Sequence, residues 1–169
     1  MKEIARFSTV LFLICLISAG MLSLINSIAE PRIIEQRKLE ESRAIKKVLP
    51  QEAGSIEKVE KDDLVFYKAK DSEGNLIAYV FIASDYGYSS QIKTVVSLSP
   101  AGEIIDVSIL EHRETPGVGS GILEEDFLSQ FRGKNINRQF DTITGATISS
   151  AAVIDSIKAM GLEVLKDAE

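Results

Sequence analysis

Residues 91–111 read QIKTVVSLSPAGEIIDVSILE. The first half sets Ile92, Thr94, Val96 and Leu98 on alternate positions, against Lys93, Val95 and Ser97. Successive side chains of a strand point to opposite faces, so this period of two reads as a strand. Pro100-Ala101-Gly102 then turns the chain, and Glu103 to Leu110 alternates again. Two such runs joined by a short Pro/Gly turn predict an antiparallel hairpin.

The same reading extends outward. Leu64 to Ala69 is short and β-rich, Asp71 to Asn75 reads as a turn, and Leu76 to Ala83 (LIAYVFIA) is a β-branched and aromatic run. Residues 84–90 (SDYGYSS) follow as a loop, with Tyr86 and Tyr88 available as an aromatic wall. Downstream, Phe127, Leu128 and Phe131 space a short helix over 124–131. A final helix is expected from Ser149 or Ser150, with Val153, Ile154, Ile157, Met160, Val164 and Leu165 on one face. Gly161 weakens it near its end. Strands and helices are grouped rather than alternating. The expected class is therefore α+β, with antiparallel sheet and flanking helices. No G-x-G-x-x-G follows a strand, so no dinucleotide fingerprint is present.

Phe7 to Ile28 carries no formal charge. As a helix it is about 33 Å long, enough to cross a hydrocarbon core. Ser27-Ile28-Ala29 resembles a signal-peptidase site, but signal apolar regions are usually about 7–15 residues, so an uncleaved anchor is expected. The organisation read from this is a head at 1–6, a transmembrane helix at 7–28, a connector or juxtamembrane helix at 29–50 and a domain at 51–169. Pro31 is expected to close the span. The basic residues flanking it are balanced, so orientation rests on the short head: N-terminus inside, domain on the outer or periplasmic side of the inner membrane.

The chain has 169 residues and a formal net charge of −6. That acidity argues against nucleic acid as a partner. The single cysteine, Cys15, lies in the span. Four-thiolate iron–sulfur clusters, Cys-type zinc sites and internal disulfides are thereby excluded, and no metal site is expected. Any redox role needs an organic cofactor or a partner's metal.

Two further stretches could carry chemistry. Asp141 to Ala152 reads DTITGATISSAA. Ser149, Ser150 or Thr147 could cap the helix that follows. Equally, Gly145 and Ala146 leave backbone uncovered, so N–H groups and the positive helix end could face an anion. Glu111 to Gly121 reads EHRETPGVGSG and holds the only histidine, His112. Its glycines allow backbone to approach a flat ligand, and a tight turn after a strand is the plainer alternative.

An apolar span, G-Y-S before a strand pair, H-x-E-T-P-G-x-G and D-x-x-T-G-A-T-x-S-S opening a helix occur here in that order. Together they resemble the FMN-binding domain of the G-subunit of the Rnf electron-transport complex. A relative is the C-subunit of the sodium-pumping NADH:quinone reductase. Position 118 is Val where that family usually shows Leu. The resemblance implies FMN joined through its phosphate to Thr147, with Thr144, Gly145 and Ala146 holding the phosphate. It implies a separate magnesium-dependent flavin transferase that recognises Asp141 to Thr147. It implies that Glu114, Thr115, Gly117, Val118 and Gly119 line the flavin ring, with Tyr86 or Tyr88 beside it. His112 would orient the loop. The implied role is electron transfer within a complex, not catalysis by this chain alone, alongside the other subunits of an ion-translocating ferredoxin:NAD⁺ oxidoreductase. A flavin-free membrane-tethered assembly module and a stand-alone exported flavin reductase are the alternatives.

Overall fold

The structure, a computed structural model, describes residues 2–61 and 64–168. It divides into two compact units, one up to Glu40 and one from Glu41 onward.

The first unit is helical and belongs to α1 (Lys2–Val48). Its apolar side chains from Phe7 to Ile28 are exposed, and α1 is long and apolar enough to cross a membrane. The helix runs through Pro31 rather than ending there. Proline removes one N–H, leaving the Ser27 carbonyl without its usual partner, but the residues beyond it are good helix formers. Residues 41–48, read as connector, belong to the second unit.

That unit is built on β1 (Ser55–Lys61), β2 (Leu64–Lys70), β3 (Leu76–Tyr86), β4 (Gln91–Leu98), β5 (Glu103–Glu111) and β6 (Lys134–Asn135). All pairs are antiparallel, and spatial order follows sequence order. The hairpin expected at 91–111 is present, with Val96 opposite Val107 and Val95 opposite Ser108. A 3-10 turn (Gly119–Leu123) and α2 (Glu125–Ser129) fill the connection from β5 to β6, and α3 (Thr147–Ala168) closes the fold. The class is α+β, as the sequence predicts.

The main core lies on one sheet face. Phe66, Phe81, Val96, Leu98, Ile104 and Val107 pack there with Ile122, Phe127 and Phe131 and with Val153, Ile157 and Val164 of α3. The opposite face carries a smaller cluster of Val80 and Val95 with Ile45 and Val48 at the end of α1. Being covered on both sides, β3 is a continuous apolar run instead of an alternating one.

The end of β3 differs from expectation. β3 extends to Tyr86, because Tyr86 pairs with Gln91 and Asp85 with Ile92. The loop shrinks to Gly87–Ser90, closed by the Gly87 N–H on the Ser90 carbonyl at 2.8 Å. Gly161 does not end α3: a Cβ there would collide with Ile136 and crowd Phe81. The glycine lets the helix approach the core, and this packing offsets its weak helix propensity.

Candidate functional site

Two glycine turns border one cleft. In the first, Pro116 and Gly117 occupy the central positions of a turn closed by the Val118 N–H on the Thr115 carbonyl at 3.2 Å. Gly117 has φ +76°. Proline followed by a residue of positive φ is the signature of a type II turn. The Ser120 hydroxyl also accepts the Gly117 N–H at 2.9 Å. In the second, the Ala146 N–H donates to the Ile143 carbonyl at 3.0 Å, and Gly145 has φ +87°. A β-carbon at Gly145 would meet nothing within 4 Å, so the backbone angle alone calls for glycine there.

The second turn delivers the chain into α3 at Thr147, two or three residues earlier than expected. The hydroxyls expected to cap do other work. Ser150 Oγ accepts the Ile143 N–H at 3.0 Å and donates to the Ala146 carbonyl at 2.8 Å. Ser149 Oγ donates to Glu114 Oε2 at 2.6 Å. Thr147 is exposed, and its hydroxyl has one long contact, 3.5 Å to the Ile143 carbonyl. The N–H groups of Thr147, Ile148 and Ser149 precede the first possible carbonyl partner inside the helix, so they mark its positive end. The Ala146 amide, expected to face an anion, is already taken by Ile143.

The cleft has a volume of about 510 Å³. That lies within the ~300–1,000 Å³ usual for cofactor sites. Of the residues anticipated at the site, it brings together Glu114, Thr115, Val118, Gly119, Gly145, Ala146 and Thr147. Tyr88, Ile148 and Ser149 complete the lining. Gly117 and Thr144 belong to the bordering turns without lining it. Asp141 lines a separate depression of about 310 Å³ with Glu124, Asp126 and Gln130. The Gln130 side chain clamps the Asp141 backbone, accepting its N–H at 2.8 Å and donating to its carbonyl at 3.1 Å. Tyr86 is exposed away from the cleft lining. Sequence reasoning missed Ile148 and the inward turn of Ser149. No signal in the sequence marks Ile148, because a single exposed apolar residue is ordinary on a protein surface.

Among the described residues, no Lys or Arg lines the cleft, and its one charged member is Glu114, 5% exposed. Burial pushes the Glu114 carboxyl up, but the Ser149 hydroxyl and the Ser89, Ser90 and Tyr88 amides together hold it below its ordinary 4.5. His112 Nδ1 accepts the Glu114 N–H at 3.2 Å, which ties the histidine to the loop's conformation. The linkage has a definite sign. Below pH 4.5 the unfolded chain takes up the Glu114 proton before the folded chain does. The group's contribution to stability is therefore full above that pH and lost as pH falls through the lower folded value. Urea midpoints measured from pH 7 to about pH 3 should fall more steeply for the native sequence than for Glu114→Gln. Parallel curves would contradict the assignment.

A family model for the FMN-binding domain matches residues 87–160, which includes both turns and Thr147. The G-subunit of the proton-translocating ferredoxin:NAD⁺ oxidoreductase complex of Clostridium ljungdahlii is 32% identical, over 85% of this chain and 82% of that protein. The G-subunit of the ion-translocating oxidoreductase complex of Methanosarcina acetivorans is 30% identical, over 92% of each.

The chain belongs to the G-subunit family of ion-translocating oxidoreductase complexes.

The crystal structure of NqrC from Shewanella oneidensis shares the fold, with a TM-score of 0.53 and 22% identity over 69% of this chain and 72% of that one. The cleft lining of this G-subunit family member suits FMN. Tyr88, Val118 and Ile148 offer apolar surface to a flat ring, and the bare start of α3 offers N–H groups to a phosphate.

Proposed function

We propose that the chain is the membrane-anchored electron-transfer component of an ion-translocating ferredoxin:NAD⁺ oxidoreductase complex, carrying FMN esterified through its phosphate to Thr147. The observation that supports this most is the placement of an exposed Thr147 hydroxyl at the mouth of α3, on the rim of a cofactor-sized cleft. Thr147 opens a 22-residue helix, whose positive end would favour an ester phosphate there. FMN, when bound, supplies reversible electron transfer between the partner subunits. The chain's own residues hold and orient it: Thr147 tethers, the first-turn amides of α3 face the phosphate, and Tyr88, Val118 and Ile148 flank the ring.

Attachment requires a second protein. The donor must carry the FMN phosphate activated as a phosphoanhydride. The Thr147 Oγ–P bond forms as the anhydride P–O bond breaks, and the distal phosphate part leaves. The step needs a base for the hydroxyl proton and a cation to neutralise the phosphate. Among the described residues lining the cleft there is no cation, and the one carboxylate, Glu114, is buried with its oxygens on Ser89, Ser90 and Ser149, while the Thr147 hydroxyl contacts the Ile143 carbonyl. A magnesium-dependent flavin transferase would supply both and would read the segment from Asp141 to Thr147. The anchor is the apolar part of α1, and the domain faces the outer side of the inner membrane. Other subunits of the complex contribute the ferredoxin and NAD⁺ sites and the ion path.

The test is intact mass spectrometry of the full chain made with and without the transferase. One FMN moiety should be gained only with it, and the peptide carrying it should contain Thr147. A chain that stays colourless in both preparations favours a flavin-free assembly module instead.

A further inference from the structure

Glu114 sits where three separate segments meet. Its Oε1 accepts the N–H groups of Ser89 and Ser90, each at 3.0 Å, from the loop between β3 and β4. Its Oε2 accepts the hydroxyl of Ser149, at 2.6 Å, from the first turn of α3. The residue itself opens the Thr115–Gly119 turn. The approach is close on every side: a β-carbon at Gly87 would lie 2.8 Å from Oε1, and one at Gly119 would lie 2.8 Å from Oε2. Among the described residues, no lysine or arginine forms an ion pair with it. The charge is met by N–H and O–H donors alone, an arrangement open to an ionised carboxylate because it is acceptor-only at both oxygens.

We propose that Glu114 is a positioning residue that sets the width of the cleft by latching the Gly87–Ser90 loop and the Thr115–Gly119 turn to the helix start that bears Thr147. This rests on the cleft being the flavin site. It departs from a ring-contacting role for Glu114, since both oxygens are taken by the protein. Ser149 lies two residues beyond Thr147 and is buried, so its bond to Glu114 fixes how the first turn of α3 is rotated about its axis. Tyr88 on the loop and Val118 on the turn are thereby held at fixed distances from Thr147 before any cofactor arrives.

The test uses the full chain in detergent, unloaded and flavin-loaded, with Ser149→Ala, Glu114→Gln and Glu114→Ala. Amide exchange in the unloaded chain reads the latch directly. Ser149→Ala alters only α3, yet exchange should quicken at Ser89 and Ser90, with β3 to β5 still protected. Glu114→Gln keeps an acceptor for the loop amides, and its NH2 can donate to the Ser149 hydroxyl in place of accepting from it, so its effect should be the smallest, followed by Ser149→Ala and then Glu114→Ala. In the loaded fraction, identified by mass, the flavin's fluorescence anisotropy should drop toward that of free flavin in the same order. Unchanged exchange at residues 88–90 in Ser149→Ala overturns the latch, as does native anisotropy in all three variants. If Glu114→Ala does not fold, Ser149→Ala, which removes a single hydroxyl, still decides. A native chain that takes no flavin sinks the flavin reading, and the exchange measurement then stands alone as the judge of the latch.

Discussion

Replacing Thr147 by valine should leave the chain without flavin of any kind, covalent or retained. Valine keeps the branched shape and removes the oxygen that the proposed ester needs. The position is exposed, so fold stability should change by no more than about 0.5 kcal/mol. Loss of the covalent species follows from the missing nucleophile. Loss of the non-covalent species follows from the cleft's electrostatics. A free phosphate monoester carries about −1.5 to −2 charges near neutral pH. Among the described residues nothing cationic lines the cleft, and Glu114 adds a negative charge. The helix start offers roughly 0.3–2 kcal/mol toward an anion. Nanomolar retention needs about 12 kcal/mol in total, and apolar contact with the ring would have to supply nearly all of it. Esterification lowers the phosphate to a single charge and makes affinity irrelevant to retention. Intact mass and visible absorbance after desalting decide the matter. Thr147→Ser, which keeps a hydroxyl, should still be loaded. Covalent flavin on Thr147→Val would refute the attachment site, and flavin released only on denaturation would refute the argument from charge.

The largest effect on stability is expected from Phe131→Ala. Phe131 is fully buried at the centre of an aromatic group. Its ring lies edge-on to Phe127 with centroids 5.4 Å apart and against Phe140 at 4.7 Å. Truncation removes that packing and leaves a cavity, so about 3–5 kcal/mol should be lost. Phe140 immediately precedes Asp141, so the same cavity loosens the anchor of the segment leading to Thr147. The midpoint of urea unfolding should fall with little change in slope. A loss below about 1 kcal/mol would mean that the surrounding residues collapse to fill the space.

The sheet was legible where its faces differ. Alternation located β4 and β5, and a doubly covered strand announced itself as the apolar run of β3. By contrast, β1 (SIEKVEK) is exposed along most of its length and carries four charges, so it shows no inward face to detect. Charged residues on an edge strand are how sheets avoid pairing with other chains. At the site, both glycine turns could be found because proline and positive φ leave residue signatures. The start of α3 was placed late because serine is a favoured cap, whereas here the turn at Gly145 sets the entry and both serines point inward. The bond between Ser149 and Glu114 joins residues 35 positions apart and leaves no local trace.

The order of the strands has a kinetic consequence. Each strand lies beside its neighbour in the chain, so zipping the sheet requires the closure of short loops only, apart from the longer excursion before β6. Loop-closure entropy rises with length, and architectures rich in local pairings fold fast. The sheet can therefore assemble progressively, one hairpin at a time. The last helix, α3, packs on this sheet, so its first turn at Thr147 gains a fixed place only after the strands have joined.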